Sequence, residues 1–366
     1  MQGSKQPVPA HAHSGEADAD ELIALDEAAR LSASRRVLAP YEHTDLRAVF
    51  PHHEHLYDPK LQVLEFRDCF INRHGFVKLS NGQIISDLGY REMLDRSVEE
   101  LKNVALGDTN VERLAEPTIL VSGHKNYYHW HLNWLPRLAL ADMFEDLRGI
   151  KPIIPASPTT FMRDSMKMVT GRSSRDVISQ GWKVLYAERV FVPTMFTNPV
   201  HAPFALRQYQ PQRRLRPADG RGRKIYISRA EAPLRRILNE SEVMAILAPF
   251  GFEKVVSENL SYKEQVALFS ETDFIIGAHG AGLTNMLFCS PGFSVIELLN
   301  QYFTRVYWSL SQALGSEHYK NLQSDRLITP EHETNATQAR KNADFFVDTA
   351  KLRVLVEDIL ATPRSG

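Results

Sequence analysis

The chain reads as an α/β protein of two units, and three observations predict it. The second half alternates short β-branched or aromatic runs with amphipathic stretches of about ten residues, the pattern of a parallel sheet with right-handed crossovers. One of its joins, Asp273 to Asn285, passes from an apolar strand-like run through His279, Gly280, Ala281 and Gly282 into the apolar stretch Leu283 to Phe288. Between Tyr209 and Arg223 the sequence turns basic and poor in apolar residues, which is linker chemistry. At 366 residues the chain is long for one core and comfortable for two.

The elements follow in chain order. Met1 to Asp20, rich in Ala, Pro, His and acid, has too little apolar surface to order itself, and a partly disordered tail over 1–35 is expected. It has neither a basic start nor an apolar core, so it does not read as a secretory signal. An N-terminal α/β domain is assigned to 36–215, with strands at Gln62–Phe66 and Phe70–Phe76 around a turn and a helix over Glu92–Val104. Thr118–Ser122 reads as a buried strand, and Gly123–Asn126 as the loop into a helix over Tyr127–Leu135. Trp182–Tyr186 and Arg189–Val192 follow as strands.

A C-terminal domain is assigned to 222–340. Its strands are Lys224–Ser228, Phe252–Val256, Phe274–Gly277 and Phe293–Leu299. Asn239 with Glu242 and Ser261 with Glu264 are spaced as capping boxes, Gly251 stops the first helix, and a helix is expected over Tyr302–Leu314. A helix over 341–366 ends the chain, free to pack back on the N-terminal domain.

Composition excludes several functions. With 43 Lys plus Arg against 44 Asp plus Glu, the formal charge of −1 leaves no electrostatic footprint for nucleic acid. No apolar run reaches the roughly 18 residues needed to span a bilayer. Cys69 and Cys289 stand far apart without metal spacing, which fits a reducing cytoplasm better than a disulfide scaffold. The sequons at Asn259 and Asn335 carry no weight without a signal sequence. His52-His53-Glu54-His55 lacks a helical i, i+4 pair, so no metal site is assigned. No Walker A segment, nucleophile elbow, Asp-x-Asp pair after a strand or Gly-x-Gly-x-x-Gly appears, and the last absence weakens a Rossmann oxidoreductase.

Three clusters can carry chemistry. The strand–glycine–helix join gathers backbone N–H groups and a positive helix end at one point, with His279 as a further donor, and that geometry binds phosphates. Glu297 ends the next strand at the same edge, where a carboxylate could accept from a ribose diol. Ser228-Arg229, with Arg235, Arg236, Asn239 and Glu240 close behind, offers guanidinium groups to phosphate oxygens. In Asn126 to Arg137, His129 and Asn133 are four apart on one helix face, and an imidazole titrating near 6.5 suits acid–base work. Each has a plain structural counterpart: a sterically required turn, a solvated basic loop, a half-buried polar histidine.

Together these segments resemble glycosyltransferase family 61. The resemblance rests on Asn126-Tyr127-Tyr128-His129-Trp130 with Leu135-Pro136-Arg137, on Ser228-Arg229, and on Arg236 with Asn239-Glu240. It continues through Gly251-Phe252, Leu260 to Gln265, and His279-Gly280-Ala281-Gly282-Leu283-Thr284-Asn285 with Glu297. It covers about Thr118 to Leu299. It implies a GT-B-like fold, two Rossmann-like domains facing across a cleft, with a nucleotide sugar, UDP-linked by family precedent, held by the C-terminal one as substrate. No other cofactor and no metal is implied. The implied reaction is an inverting transfer to a glycan or lipid-linked acceptor in surface polysaccharide synthesis, by a cytoplasmic enzyme with at most peripheral membrane association.

In that scheme Arg229, Arg236, Asn239, Glu240, His279, Gly280, Ala281, Gly282, Leu283, Thr284, Asn285 and Glu297 bind the donor, and His129 and Asn133 are catalytic. One departure matters. Many members carry an aspartate where this chain has Asn133, which cannot take a proton. Either His129 is the base with Asn133 orienting the acceptor, or His131 or a carboxylate elsewhere serves. A non-catalytic nucleotide- or glycan-binding module on the same fold is the alternative.

Overall fold

The computed structural model describes residues 21–37 and 60–362, apart from residues 90, 122, 124, 174, 197–202, 213–221, 303 and 332. The His52–His55 cluster and most of the basic linker lie outside the described residues.

The first sheet comprises β1 (Leu22–Ile23), β2 (Ser34–Val37), β3 (Gln62–Ile71), β4 (Val77–Lys78), β5 (Ile84–Ile85), β6 (Val111–Leu114), β7 (Thr118–Leu120), β8 (Lys151–Pro155), β9 (Ile178–Gln180) and β10 (Val184–Pro193). Its order is β1-β5-β4-β3-β10-β7-β8-β9, with β2 also on β3 and β6 on β10. The sheet is mixed: β10, β7, β8 and β9 run parallel, while β3 is antiparallel to β10, β2 and β4. The β10-β7-β8-β9 part has a continuous parallel pattern, and β6 on β10 and β1 on β5 are parallel pairs as well. Residues 21–35, expected as part of the tail, supply β1 and the first half of β2 instead.

The two strands expected around a turn near Asp68 are one strand. Pairing with β10 in a single register from Val63 to Ile71 holds β3 extended, and Asp68 alone takes a positive φ of 53°. The same pairing fuses the two strands expected after Trp182 into β10.

The second sheet is wholly parallel: β11 (Arg223–Ile227), β12 (Phe252–Val255), β13 (Thr272–Ala278), β14 (Ser294–Leu299) and β15 (His318–Gln323), in the order β12-β11-β13-β14-β15. The direction of winding reverses between β11 and β13. Ligands of open α/β sheets bind at such a switch point, outside the carboxyl ends of the strands.

Local signals in this half are largely obeyed. Ser261 and Glu264 close a full capping box on the helix Tyr262–Ser270. Gly251, at φ 81°, ends the 3-10 turn that follows the helix Glu240–Leu247. The Asn239–Glu242 box does not form, because the Asn239 amide is drawn to the Val347 backbone, donating to its carbonyl and accepting from its N–H at 2.9 Å each. The segment after the glycine turn, Ala281–Phe288, is a 3-10 helix.

The C-terminal helix, Thr349–Ala361, packs on the second unit. Leu352, Val356 and Ile359 join Tyr226, Val243, Phe274 and Ile296 in the core behind the second sheet, where an uncovered apolar sheet face needed a layer.

The two units share apolar surface. Leu132, Leu206 and Tyr209 lie in one cluster with Ile225, Tyr262, Ile275, Phe288 and Leu310 of the second unit. The helical segment Tyr127–Asp142 forms the wedge between them: Trp130, Trp134 and Leu138 face the first sheet, and Leu132 faces the second unit.

Candidate functional site

The switch point carries two of the sequence clusters together. Ser228-Arg229 leaves β11 and His279-Gly280 leaves β13, and these strands are neighbours. Gly280 is extended, at φ 171°, a conformation open to any residue, so its requirement is space. A Cβ at Gly280 would collide with the Arg229 guanidinium. Leu283 N–H donates to Gly280 O at 3.0 Å and begins the 3-10 ladder, which places the backbone of Gly280, Ala281 and Gly282 at its head under Arg229.

Arg229 donates to Leu234 O at 2.9 Å, and its Nε is buried with no partner. Burial, then the nearby charge of Arg235, holds its pKa below the ordinary guanidinium range. Arg235 has a buried, unpartnered Nε of its own and sits at φ 59°, an uncommon conformation for a side-chain-bearing residue. Burial lowers its pKa too, against the fields of Tyr307, Tyr302 and Glu297. Two half-buried guanidinium groups thus lie within each other's field, and among the described residues neither makes an ion pair with a carboxylate; Glu258, Asp344 and Glu297 act on them only at longer range. An uncompensated buried charge is costly, and an anion offsets it.

Arg236 is not part of this pocket. It is exposed and clamped to Asp344, with Nε and Nη2 donating to Oδ2 at 2.9 and 2.6 Å. Consecutive residues of an irregular segment point to opposite sides, so the sequence cluster offered both arginines and Arg235 is the inward one. Asn239 ties down the Val347 backbone. Glu240 accepts from Ser228 Oγ at 2.7 Å and Tyr226 Oη at 3.1 Å and pairs with Lys254 at 2.5 Å, so it fixes the end of β11 and acts on the pocket through Ser228.

Glu297 is fully buried and both its oxygens are taken. His279 Nδ1–H donates to Oε1 at 2.6 Å and the Tyr319 hydroxyl donates to Oε2. It orients His279 and is not available to a sugar diol. The bond also sets the tautomer, leaving Nε2 of His279 as the second ring nitrogen, beside the rings of Tyr307 at 5.1 Å and Tyr302 at 6.0 Å.

Leu283 and Thr284 point into the core. Asn285 is a link between the units: Tyr127 Oη donates to its Oδ1 at 2.6 Å, and its Nδ2 donates to Gln265 Oε1 at 2.9 Å. Gln265 in turn donates to the carbonyls of Ser257 and Leu260 at 3.0 and 3.1 Å. These residues line a cleft of about 360 Å³ between the units, which also takes in Phe161, Ala281 and Gly282. Ser257 Oγ and Tyr262 Oη have no partner there.

The helix Tyr127–Asp142 opens under an Asn126 cap, whose side chain accepts from His129 N–H, and then widens into a π turn over Trp130–Trp134. Such turns are rare and gather at functional sites. Across it His129 Nδ1 meets Asn133 Oδ1 at 2.8 Å, and Asn133 Nδ2 donates to Phe196 O. The Phe196 carbonyl fixes the amide with its oxygen toward the imidazole. Nδ1 of His129 is therefore the protonated nitrogen, and Nε2 carries the lone pair, the tautomer a general base needs.

His131 is excluded as a base. It is fully buried, stacked on Tyr262 at 5.4 Å, and its Nδ1–H is spent on the Tyr209 hydroxyl at 3.0 Å. Burial pushes its pKa down to about 3. A row of rings connects the two halves of the site: His129 to Tyr128 at 5.0 Å, Tyr128 to Tyr307 at 5.8 Å, Tyr307 to His279 at 5.1 Å. The sequence did not single out Tyr302, Tyr307 or Tyr319 for the site, since tyrosines at helix and strand spacing read as core.

Comparison with known proteins gives first the class. Residues 127–296, just under half of the chain, match the family model described as Glycosyltransferase 61. Over that stretch the chain is similar to glycosyltransferase family 61. Relatives include the EGF domain-specific O-linked N-acetylglucosamine transferases of Drosophila melanogaster, 31% identical over 133 residues (36% of this chain, 25% of that protein), and of Canis lupus familiaris, 30% identical over 148 residues (38% and 28%). That of Mus musculus is 29% identical over 160 residues (40% and 30%). The chain thus spans between a quarter and a third of the length of these relatives.

Proposed function

We propose that this chain transfers a sugar from a nucleotide sugar to a glycan or lipid-linked acceptor, with inversion and without a metal, the two units forming a GT-B-like pair. The observation that carries the reading is the pair of half-buried guanidinium groups of Arg229 and Arg235, neither in an ion pair among the described residues, with Arg229 over the small-residue turn Gly280–Gly282. A diphosphate fits that charge and that space. His279, held by Glu297, adds a donor from Nε2 when protonated. As the glycosidic bond breaks, negative charge grows on the leaving diphosphate, and preorganised donors stabilise it.

Across the ring row, His129 Nε2 takes the proton of the attacking hydroxyl while the sugar passes through an oxocarbenium-like state. Asn133 holds Nδ1–H in place throughout. The names of the relatives favour N-acetylglucosamine as the sugar, and UDP as its carrier follows from the family resemblance.

Asn133 also supports a second reading, a non-catalytic nucleotide-binding module, since an amide cannot balance the imidazolium that a base becomes. One experiment separates the two. Thermal shifts and titration calorimetry against UDP, GDP, CMP and their sugars, run beside a transfer and hydrolysis assay, are expected to show binding of one nucleotide and turnover of its sugar. Binding without turnover selects the module. No shift with any nucleotide sinks both readings.

A further inference from the structure

At the carboxyl edge of the first sheet, away from the guanidinium pocket, lies an open groove of about 540 Å³. It is formed where β7, β8 and β9 end: Gly123 and Lys125 follow β7, Ala156 and Ser157 follow β8, and Gly181 and Trp182 follow β9. Gly123 and Lys125 belong to the same connection that delivers Asn126 and His129, so the groove borders the strand-to-helix loop of the base.

Trp182 is 82% exposed, more than any other large hydrophobic side chain described. It is not loose. The Arg73 guanidinium lies over the indole at 4.3 Å, and Arg73 Nε donates to His74 Nε2 at 3.2 Å. One face of the ring is thereby backed by a cation and the other is left to solvent. Beneath it, the buried Gln180 side chain donates to Ile71 O at 2.9 Å and fixes the end of β9. Ser157 holds a positive φ of 50°, a strained turn kept at the groove wall. Among the described residues no carboxylate lines the groove, while Arg73, His74 and Lys125 do.

An exposed indole costs solvation free energy and has an apolar face to offer; the C–H face of a pyranose ring fits it, with the sugar hydroxyls still free to meet polar neighbours. The cationic rim selects for negative charge. We propose that this groove is the acceptor subsite and that it takes an acidic saccharide, one ring stacked on the free face of Trp182 and its carboxylate met by Lys125 within the positive field of Arg73. The assignment as acceptor rests on the transferase reading above; the binding of an acidic saccharide does not.

The test uses the full chain and two probes of equal length, hyaluronan tetrasaccharide and neutral chitotetraose, titrated by isothermal calorimetry. Wild type is expected to bind the hyaluronan fragment about tenfold more tightly than chitotetraose, a difference of about 1.4 kcal/mol. Trp182→Ala, at an exposed position that leaves the core intact, is expected to weaken both probes at least tenfold. Arg73→Ala is expected to weaken the acidic one more. Saturable binding by neither probe, or a Trp182→Ala variant that binds like wild type, overturns the proposal. A UDP thermal shift on the same samples keeps the two readings apart, since it fails with the donor pocket and is untouched by Trp182→Ala.

Discussion

The pair His129–Asn133 sets what a single residue does here. Asn133→Ala removes the acceptor of Nδ1–H and lets the imidazole choose its tautomer, so kcat is expected to fall by about 10²-fold, the scale of a general-base contribution. KM should change little, and a loss confined to KM would count against the assignment. Gly280→Ala is expected to be a binding variant: its methyl pushes the Arg229 guanidinium off the turn, and nucleotide affinity should drop at least tenfold while the melting temperature stays within a few degrees. The residue scale is also where the sequence was least legible. His279 and Gly280 could be placed from the strand–turn–helix pattern alone. Arg235 could not be told from Arg236, because no periodicity governs an irregular segment. Glu297 sat at the right strand end, but that both its oxygens are engaged depends on Tyr319, from a strand that the sequence concealed.

Elements explain that concealment. β15 is a half-exposed edge strand, His-Tyr-Lys-Asn-Leu-Gln, with no alternation to mark it. The parallel strands β11, β13 and β14 were legible because both faces are covered and the apolar run is continuous. Capping followed the same logic: Ser261 and Glu264 had no better partner and closed their box, whereas Asn239 found the Val347 backbone. Replacing Ser261 with Ala is expected to cost about 1 kcal/mol of stability, read from urea unfolding at unchanged m-value. The π turn had no sequence signal at all. Its five residues Trp-His-Leu-Asn-Trp keep the four-residue spacing of a regular helix, and only packing on both sides reveals the extra width.

At the scale of the molecule, the shared core makes stability sensitive to acid. His131 is buried at the wedge with its pKa pushed down to about 3, so the unfolded chain, at about 6.5, binds a proton that the folded one refuses. The sign follows: stability is lost as pH falls from 6.5 toward 3, by about 1.4 kcal/mol per pH unit once the unfolded imidazole is charged. Glu65, lowered to about 2, chiefly by Arg189, adds a loss of the same sign below its ordinary range. Melting curves between pH 7.5 and 4.5 should show the slope, and His131→Phe should flatten it. A pH dependence unchanged in that variant would place the acid sensitivity elsewhere.

The wedge has one more consequence, for how the protein can be handled. Leu132, Leu206 and Tyr209 bind the halves on either side of the basic linker as a lock binds its key. A chain cleaved within 213–221 should therefore stay a single particle on a sizing column, and the two fragments, expressed as separate polypeptides, should find one another and restore whatever activity the intact chain has.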